Sequence, residues 1–328
     1  AWKDGNTAPH RLVKRELPLD ALNGPERDPL DHVQARRILD MRTNRTILTV
    51  AAFGFLIPCS ATLAQDAPPD EVALTGIARD FIERTQEGGH PDFERRPAAG
   101  FGHYMGNIGE YLDEDGKPVF VGGGYKVNSQ WRNAQGQPIH PSFYNPEAGD
   151  SAGSYGTSDN GGIESAESFA QWYRDDLGTN MSKQLQMVMT RSGGTDEQPI
   201  YTYENTSFFP LDGQLFGNSG GTPDHNFHFT FELHTEFTYQ EGTGQVFSFY
   251  GDDDVWVFIN GRLVIDIGGV HSQVHQVIEV DRLGLEDGKT YPLDFFFAER
   301  HRTQSNFRID TTLKLKNKDL PSVSAAYD

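Results

Sequence analysis

Hydrophobic and polar residues alternate regularly along the second half of the chain. Between Asn226 and Tyr239, aromatic and aliphatic residues occupy nearly every second position, which is typical of a β-strand with one buried face. Residues 255–259 are apolar at every position, so we expect this strand to be buried on both faces. Asn260 and Gly261 follow, and they predict a tight hairpin because both residues tolerate positive φ angles.

Four more segments show the strand pattern, at 262–267, 276–280, 291–298 and 307–315. Together the strands predict a mainly β protein, an antiparallel β-sandwich whose core is formed by residues 226–315. The preceding part, 65–225, is predicted to be loop-rich, since residues 88–162 are dense in Gly, Pro, Asn and Ser yet carry scattered aromatic residues. One short helix is expected at 165–175, with Ser165 as its N-cap.

A secretory signal peptide is predicted at residues 41–64. A short basic region precedes an apolar stretch that is too short to span a membrane. Small residues at Thr62 and Ala64 predict cleavage that leaves residues 65–328 as the secreted domain. Residues 1–40 lack apolar periodicity, and we interpret them as an upstream segment included by a misplaced start; a genuine leader with an internal anchor is the alternative. We expect the protein to be extracellular, at the cell surface or in the periplasm.

Acidic residues strongly outnumber basic ones in this sequence. The 47 Asp and Glu residues against 28 Lys and Arg residues give a net charge of −19 at pH 7. Such a charge repels nucleic acids and anionic membranes, so we expect neither as a partner. Cys59, the single cysteine, lies in the predicted signal peptide, and no disulfide is expected in the secreted domain. Oxygen ligands for hard divalent cations are abundant.

Three successive carboxylates, Asp252, Asp253 and Asp254, stand directly before the strand that is apolar on both faces. Burying them without compensation would be costly, and a Ca²⁺ ion bound by their oxygens would remove the repulsion. Adjacent residues of a regular strand point to opposite faces, so sharing one ion would require a distorted backbone, for which a cis peptide is one solution. A solvated acidic turn is the alternative that the spacing leaves open.

The longest motif of the chain surrounds these carboxylates. Residues 251–271 read Gly-Asp-Asp-Asp-Val-Trp-Val-Phe-Ile-Asn-Gly-Arg-Leu-Val-Ile-Asp-Ile-Gly-Gly-Val-His, which resembles the signature of the fibro-slime domain family. Residues 293–309, which begin Leu-Asp-Phe-Phe-Phe-Ala-Glu-Arg-His, resemble the second block of that family. The family is related to the protective-antigen-type carbohydrate-binding domains of yeast flocculins and bacterial adhesins. The resemblance covers nearly all of residues 65–328 and implies a protective-antigen-like β-sandwich.

The resemblance also implies a calcium site. In protective-antigen relatives, two adjacent Asp residues joined by a cis peptide hold Ca²⁺, which binds sugar hydroxyls directly; the matching residues here are Asp252 and Asp253. Asn306 matches the ligand that a later loop supplies. Further polar residues lie in the loops 251–254, 268–275 and 299–306, and we expect them to contact the ligand. They are Asp254, His271, Glu299 and His301.

The sequence therefore predicts a secreted module, active in adhesion, that binds a glycan or another cell-surface or matrix ligand through Ca²⁺. The alternative is a structural module of an adhesin or matrix, in which the ion only holds loops together and no sugar binds. We do not expect an enzyme, because the sequence contains no nucleophile elbow, phosphate-binding loop or dinucleotide motif. No spacing of carboxylates indicates glycoside hydrolysis.

Overall fold

The computed structural model describes residues 67–318. The predicted signal peptide, 41–64, and the segment 1–40 lie outside the described residues, so both stay predictions. In chain order, the first eight strands are β1 (Glu71–Phe81), β2 (Tyr104–Met105), β3 (Tyr125–Ser129), β4 (Trp131–Arg132), β5 (Pro138–Ile139), β6 (Ser154–Ser158), β7 (Asn180–Gly194) and β8 (Pro199–Asn205). They are followed by β9 (Phe229–Thr238), β10 (Val246–Gly251), β11 (Asp254–Ile259), β12 (Arg262–Ile267), β13 (Val274–Glu279), β14 (Thr290–Glu299), β15 (Phe307–Thr311) and β16 (Lys316–Asn317).

Most of these strands form one antiparallel sheet. Its order is β12-β11-β14-β9-β1-β7-β8-β15-β10-β13, with β16 paired to β9 beside β1. Two small sheets, β2-β3-β6 and β4-β5, lie outside it. The two edges of the large sheet meet at the buried side chain of Gln276 in β13, which accepts from the N–H of Asp266 in β12 at 2.9 Å and donates to its carbonyl at 3.2 Å. The sheet is thereby nearly closed, and the mainly β, antiparallel fold predicted from the sequence is confirmed.

Strand β11 is buried on both faces, as its sequence predicts. Its odd-numbered residues face the core inside the large sheet, where phenylalanines of β9 and β14 pack. Trp256 and Phe258 face the opposite way, into a second apolar cluster that includes Phe169, Trp172 and Tyr173. Because those three residues precede β7, the loop-rich part of the chain covers the outer face of the sheet.

The hairpin between β11 and β12 has the predicted geometry. Asn260 has a φ of 52° and Gly261 a φ of 73°, so both adopt the left-handed conformation that a type I′ turn requires. The sheet itself is wider than the expected core 226–315, since β1, β7 and β8 also belong to it. The sequence of β7 does show the alternation that is typical of a strand, because buried Met187 and Met189 alternate with polar or exposed residues.

The predicted helix is shorter than expected. Helix α1 spans Ala166–Ala170, and Ser165 caps it through a capping box with Ser168, as its sequence predicts. The rest of the expected segment leaves the helix because the side-chain amide of Asn180 donates to the carbonyls of Gln171 and Arg174, at 3.0 and 2.8 Å. No helix within residues 67–318 is long and apolar enough to cross a membrane.

Candidate functional site

The site begins where β10 runs into β11. Gly251 lies so close to the carbonyl oxygen of Asn306 that a Cβ atom would be 2.3 Å from it, so a larger residue does not fit there. Asp253 has a φ of 54°, a conformation that is uncommon for a residue with a side chain. This residue breaks the alternation of a regular strand within the acidic run.

The expected cis peptide is not at this turn. Among the described residues, the cis peptide bonds are Thr222–Pro223 and Arg302–Thr303, and the Asp252–Asp253 bond is trans. The prediction of a cis-linked pair is therefore wrong for this chain. The left-handed conformation of Asp253 provides the backbone distortion instead.

Asp252 is held by Asn306, the residue predicted to share the metal. Its Oδ2 accepts a hydrogen bond from the side-chain Nδ2 of Asn306 at 2.6 Å, and its Oδ1 accepts one from the backbone N–H of the same residue. Since Nδ2 donates to the carboxylate, the amide oxygen is the atom of Asn306 that could bind a cation.

Asp253 joins the other two predicted loops. Its Oδ1 accepts a hydrogen bond from the N–H of His271 at 3.3 Å, and its Oδ2 accepts one from the N–H of Arg300 at 2.9 Å. Asp252 and Asp253 are each only 3% exposed. The loops 251–254, 268–275 and 299–306 thus meet at these two carboxylates.

Asp254 has a different environment, although it follows directly. Its carboxylate forms an ion pair with the buried guanidinium of Arg300, whose Nε donates to Oδ2 and whose Nη2 donates to Oδ1 at 3.0 Å. The N–H of Gly269 also donates to Oδ1, at 2.7 Å. Arg300 further donates to the carbonyls of Gly161 and Gly162, which ties the outer loops to the sheet. The carboxylate of Asp254 is therefore engaged by a protein cation.

Glu299, the last residue of β14, is completely buried. Within residues 67–318, neither of its carboxylate oxygens makes a hydrogen bond of acceptable distance and angle, although the hydroxyl of Ser305 and the carboxyl group of Asp253 lie near enough to affect its pKa. Burial raises the pKa of Glu299 well above its usual value, and the charges of Asp253 and Asp252 raise it further. A buried carboxyl group without partners is costly, so this side chain needs a compensating group.

The two neighbouring aspartates are affected in the same direction. Burial raises the pKa of Asp253 to about 8, and the negative charge of Asp254 is the second cause. Burial also raises the pKa of Asp252, although the hydrogen bonds from Asn306 oppose this shift. The site therefore disfavours its own ionised form, a penalty that a bound cation would reverse.

A cavity of about 280 Å³ is lined by Asp252 and Asp253. The side chain of Phe101, 45% exposed, forms part of its wall and lies edge-on to the ring of His301, with ring centroids 4.9 Å apart. His271 lines the cavity too. The remaining lining residues are Val270, Ser272, Arg302, Thr303 and Gln304.

The two predicted histidines differ in their partners. Burial lowers the pKa of His271 to about 3, so its ring is neutral; Nδ1 lies 2.9 Å from the carbonyl of Ser272, and Nε2 has no partner among the described residues. His301 instead faces an acidic neighbour, since its Nε2 lies 3.3 Å from an oxygen of Glu94. Nδ1 of His271 is therefore its donor, to the carbonyl of Ser272, and Nε2 is buried, whereas His301 is engaged by Glu94.

The donor atoms beside the cavity are of the type that a hard divalent cation prefers, although Glu299 itself is not among the residues that line the cavity. Asp252, Asp253 and Glu299 offer carboxylate oxygens, the ligands that Ca²⁺ prefers. No cationic side chain within residues 67–318 forms an ion pair with any of the three, because the guanidinium of Arg300 is bonded to Asp254. Charge, donor type and the unpartnered oxygens of Glu299 all agree with a cation there.

A second acidic group contacts Arg302 and His301, two residues of the cavity wall, without lining the cavity itself. Glu83, Glu94 and His228 present ligand atoms within 4.8 Å of one another, a spacing that Asp252, Asp253 and Glu299 do not meet among the described residues. The guanidinium of Arg302 lies 2.8 Å from Glu83 and 3.7 Å from Glu94. This group therefore already has a cation, supplied by the protein itself.

Part of the chain matches a known family model. Residues 214–326 match the PA14 domain. The PA14 match contains β9 to β16 and all the predicted site residues, and it agrees with the protective-antigen-like resemblance of the sequence. It is compatible with a ligand-binding role.

The chain is also similar to curated proteins of Dictyostelium discoideum. It is 44% identical to protein psiQ over 165 residues, 41% identical to protein psiR over 172 and 40% identical to protein psiC over 159. These alignments cover 47%, 49% and 47% of this chain, but only 16%, 17% and 30% of the relatives. The chain thus spans less than a third of the length of these relatives.

Solved structures show only distant likeness. The PA14 domain of MpAFP antifreeze protein aligns with a TM-score of 0.23 at 15% identity, covering 35% of this chain and 65% of that chain. A β-glucosidase from Kluyveromyces marxianus aligns with a TM-score of 0.20 at 12% identity, covering 37% and 16% of the respective chains.

Sequence reasoning missed Arg300, whose ion pair with Asp254 gives this residue a different environment from Asp252 and Asp253. Arg300 lies between two residues that were singled out, Glu299 and His301. A signal for it existed, because a completely buried acidic run requires a positive charge from some part of the chain. Phe101 was also missed, since nothing local marks a single aromatic residue in a Gly-rich loop as part of the cavity wall.

Proposed function

We propose that this domain is a secreted adhesion module that binds carbohydrate through a calcium ion, without catalysing a reaction. Asp252, Asp253 and Glu299 would hold the ion, with the amide oxygen of Asn306 as a further ligand. Bound Ca²⁺ would supply coordination positions for sugar hydroxyls. The observation that carries the proposal is the buried, unpartnered carboxylate of Glu299 beside two further carboxylates that have no cationic side chain.

The cavity supports a small hydroxyl-rich ligand. Its volume of about 280 Å³ suits one sugar unit at the end of a chain better than a large apolar molecule. Phe101 presents an exposed aromatic face on which the C–H side of a sugar ring can pack. The ring of His271 and the hydroxyl-bearing Ser272 and Thr303 offer hydrogen-bonding groups. Because the acidic site carries no spare positive charge, we expect neutral sugars to be preferred over anionic ones.

A purely structural ion is the competing function. In that case Ca²⁺ would hold the loops 251–254 and 299–306 together and no sugar would bind. The existing hydrogen bonds between Asp252 and Asn306 already join these loops, which makes a second connection less necessary. The opening of the cavity at Asp252 and Asp253 favours a ligand-bridging ion.

Binding to a glycan array in calcium, and again in chelator, tests the proposal. We expect retention on a defined set of neutral glycans, reversal by chelator and no covalent change in the glycan. Weak single-site binding should be strengthened by many copies on a surface. Glu299→Gln, which removes the charge but keeps the size, should abolish retention, and Asp253→Asn should weaken it.

The matched control is Glu94→Gln, which alters the second acidic group, outside the cavity lining, and should leave retention unchanged. Retention that survives both chelator and Glu299→Gln would disprove the proposal. A calcium-dependent rise in melting temperature without retention on any glycan would establish the structural alternative instead.

A further inference from the structure

Three aromatic side chains form a row across the two small sheets, outside the proposed calcium site. The ring of Tyr155 in β6 lies 5.5 Å from that of Tyr125 in β3 and 4.7 Å from that of Trp131 in β4, measured between centroids. Tyr125 and Tyr155 are 45% and 42% exposed, and Trp131 is partly exposed. Neighbouring exposed aromatic rings on a soluble protein are a common mark of a binding surface.

The backbone beneath the row holds the rings in place. A Cβ atom on Gly153 would lie 2.6 Å from the indole of Trp131 and 2.3 Å from the carbonyl of Ser129, so glycine is required for the indole to pack there. The side-chain amide of Asn128 donates to the carbonyl of Tyr155 at 3.2 Å, across the two strands. The rings are therefore arranged before any ligand arrives, which lowers the entropic cost of binding.

The strands that carry the row are rich in hydrogen-bonding groups, although burial and the charge of Asp266, which lies outside them, raise the pKa of Tyr155. Strands β3, β4 and β6 contain no carboxylate, although the chain has 47 acidic residues. Their two cations are turned to backbone carbonyls, Lys126 to Ala99 and Arg132 to Gly136. Ser129 and Ser154 present a pair of exposed hydroxyls, 2.9 Å apart, between the rings.

We propose that Tyr125, Trp131 and Tyr155 form a second binding surface, for a neutral polysaccharide, that works without a metal ion. The C–H faces of sugar rings are attracted to the negative faces of aromatic rings, and successive rings can serve successive sugar units. The hydroxyls and amides nearby match the hydroxyls of the ligand. Tyr, Trp and Arg are also common at protein interfaces, and Arg132 of β4 is exposed, so binding to a protein is the outcome that the test must separate from binding to a polysaccharide.

Retention of the whole chain on insoluble cellulose, chitin and β-1,3-glucan in the presence of chelator tests the surface. We expect retention on at least one of them, and a loss of about tenfold or more in affinity for Tyr155→Ala, the central ring. Tyr111→Ala is the matched control, since Tyr111 is 59% exposed but lies outside these three strands. Chelator removes any contribution from the calcium site, so the two proposals fail separately.

Fluorescence gives a second readout that does not depend on a solid phase. Trp172 and Trp256 are completely buried, so Trp131 is the tryptophan within residues 67–318 whose emission a surface ligand should change. Titration with the matching soluble oligosaccharide should shift the emission, and Trp131→Phe should remove the shift. Absence of retention on all three polysaccharides, or equal retention by Tyr155→Ala, would overturn the proposal. Concentration-dependent self-association that Tyr155→Ala abolishes would assign the surface to a protein partner instead.

Discussion

Buried carboxylates in two regions of this protein have pKa values that are shifted in opposite directions. Glu232, in the middle of β9, contacts the guanidinium of Arg79 at 2.9 Å, the ammonium of Lys117, and the ring of His234 at 3.3 Å. Burial alone would raise its pKa, but the hydrogen bond from His234 and the charges of Arg79 and Lys117 outweigh that effect. The pKa of Glu232 is consequently lowered to about 2.

Asp252, Asp253 and Glu299 are buried to a similar degree but have no ion-pair partner within residues 67–318. Their pKa values are all raised, first by burial. The comparison teaches that burial of a carboxylate does not by itself indicate function in this protein. Where the chain supplies cations the carboxylate stays ionised, and where it supplies none the group is neutralised by a proton or, as we propose here, by a cation from solution. Asp254 stands between the two types: like Glu232 it has a cationic partner, Arg300, but burial still raises its pKa.

The largest effect is expected for Arg300→Met, which would give Asp254 the same lack of charge compensation as its neighbours. Removing one partner of a buried ion pair should destabilise the fold by about 3–5 kcal/mol. Urea unfolding in chelator measures the difference. Arg308→Met is the control, since its pairs with Glu204 and Asp310 are partly exposed and should contribute about 0–1 kcal/mol.

If Arg300→Met itself does not fold, Arg300→Lys keeps the charge and loses the bidentate geometry, and it should fall between the wild type and the Met variant. If Arg300→Lys lowered the free energy of unfolding by no more than Arg308→Met does, the buried ion pair between Arg300 and Asp254 would not stabilise the fold as we expect.

A somewhat smaller effect is expected from acid at Glu232. Its folded pKa is depressed, so the ionised group stabilises the fold above the unfolded value of about 4.5, and this contribution is lost as the pH falls towards about 2. The shift corresponds to about 3 kcal/mol. Glu232→Gln should therefore have a lower free energy of unfolding than the wild type at pH 7. The difference between the two free energies should become steadily smaller as the pH falls from 5 to 3. A difference that stays constant over that range would show that the charge of Glu232 is not responsible.

The smallest effect is expected for Lys117→Met. Glu232 keeps Arg79 and His234, so losing one of three cationic partners should cost about 1 kcal/mol. Unfolding at neutral pH measures it. If Lys117→Met lowered the free energy of unfolding as much as Arg300→Met, the stability of the network at Glu232 would depend on every one of its members. The contrast between the two regions would then be weaker.

The strands of the sheet were largely predictable because period-two patterns and turn residues are local features. β11, the Asn260-Gly261 hairpin and β14 all follow from their own sequences. The coverage of the outer face by Phe169, Trp172 and Tyr173 was not predictable, because packing between distant segments leaves no local pattern.

The same distinction holds for the site. Asp252 and Asp253 were found from their position before an apolar strand and from the family resemblance. The partners that decide their chemistry, Arg300 for Asp254 and the unpartnered oxygens of Glu299, depend on three-dimensional contacts. The family resemblance also implied a cis peptide between Asp252 and Asp253, which this chain does not have. The left-handed conformation of Asp253 distorts the backbone there instead.

The central claim is that Asp252, Asp253 and Glu299 form a site for one cation. Isothermal titration of the metal-free chain with calcium tests it most directly. We predict one calcium ion per chain in the wild type and in Glu94→Gln, and no binding in Glu299→Gln. Equal binding by Glu299→Gln and the wild type, or loss of binding in Glu94→Gln alone, would contradict the account.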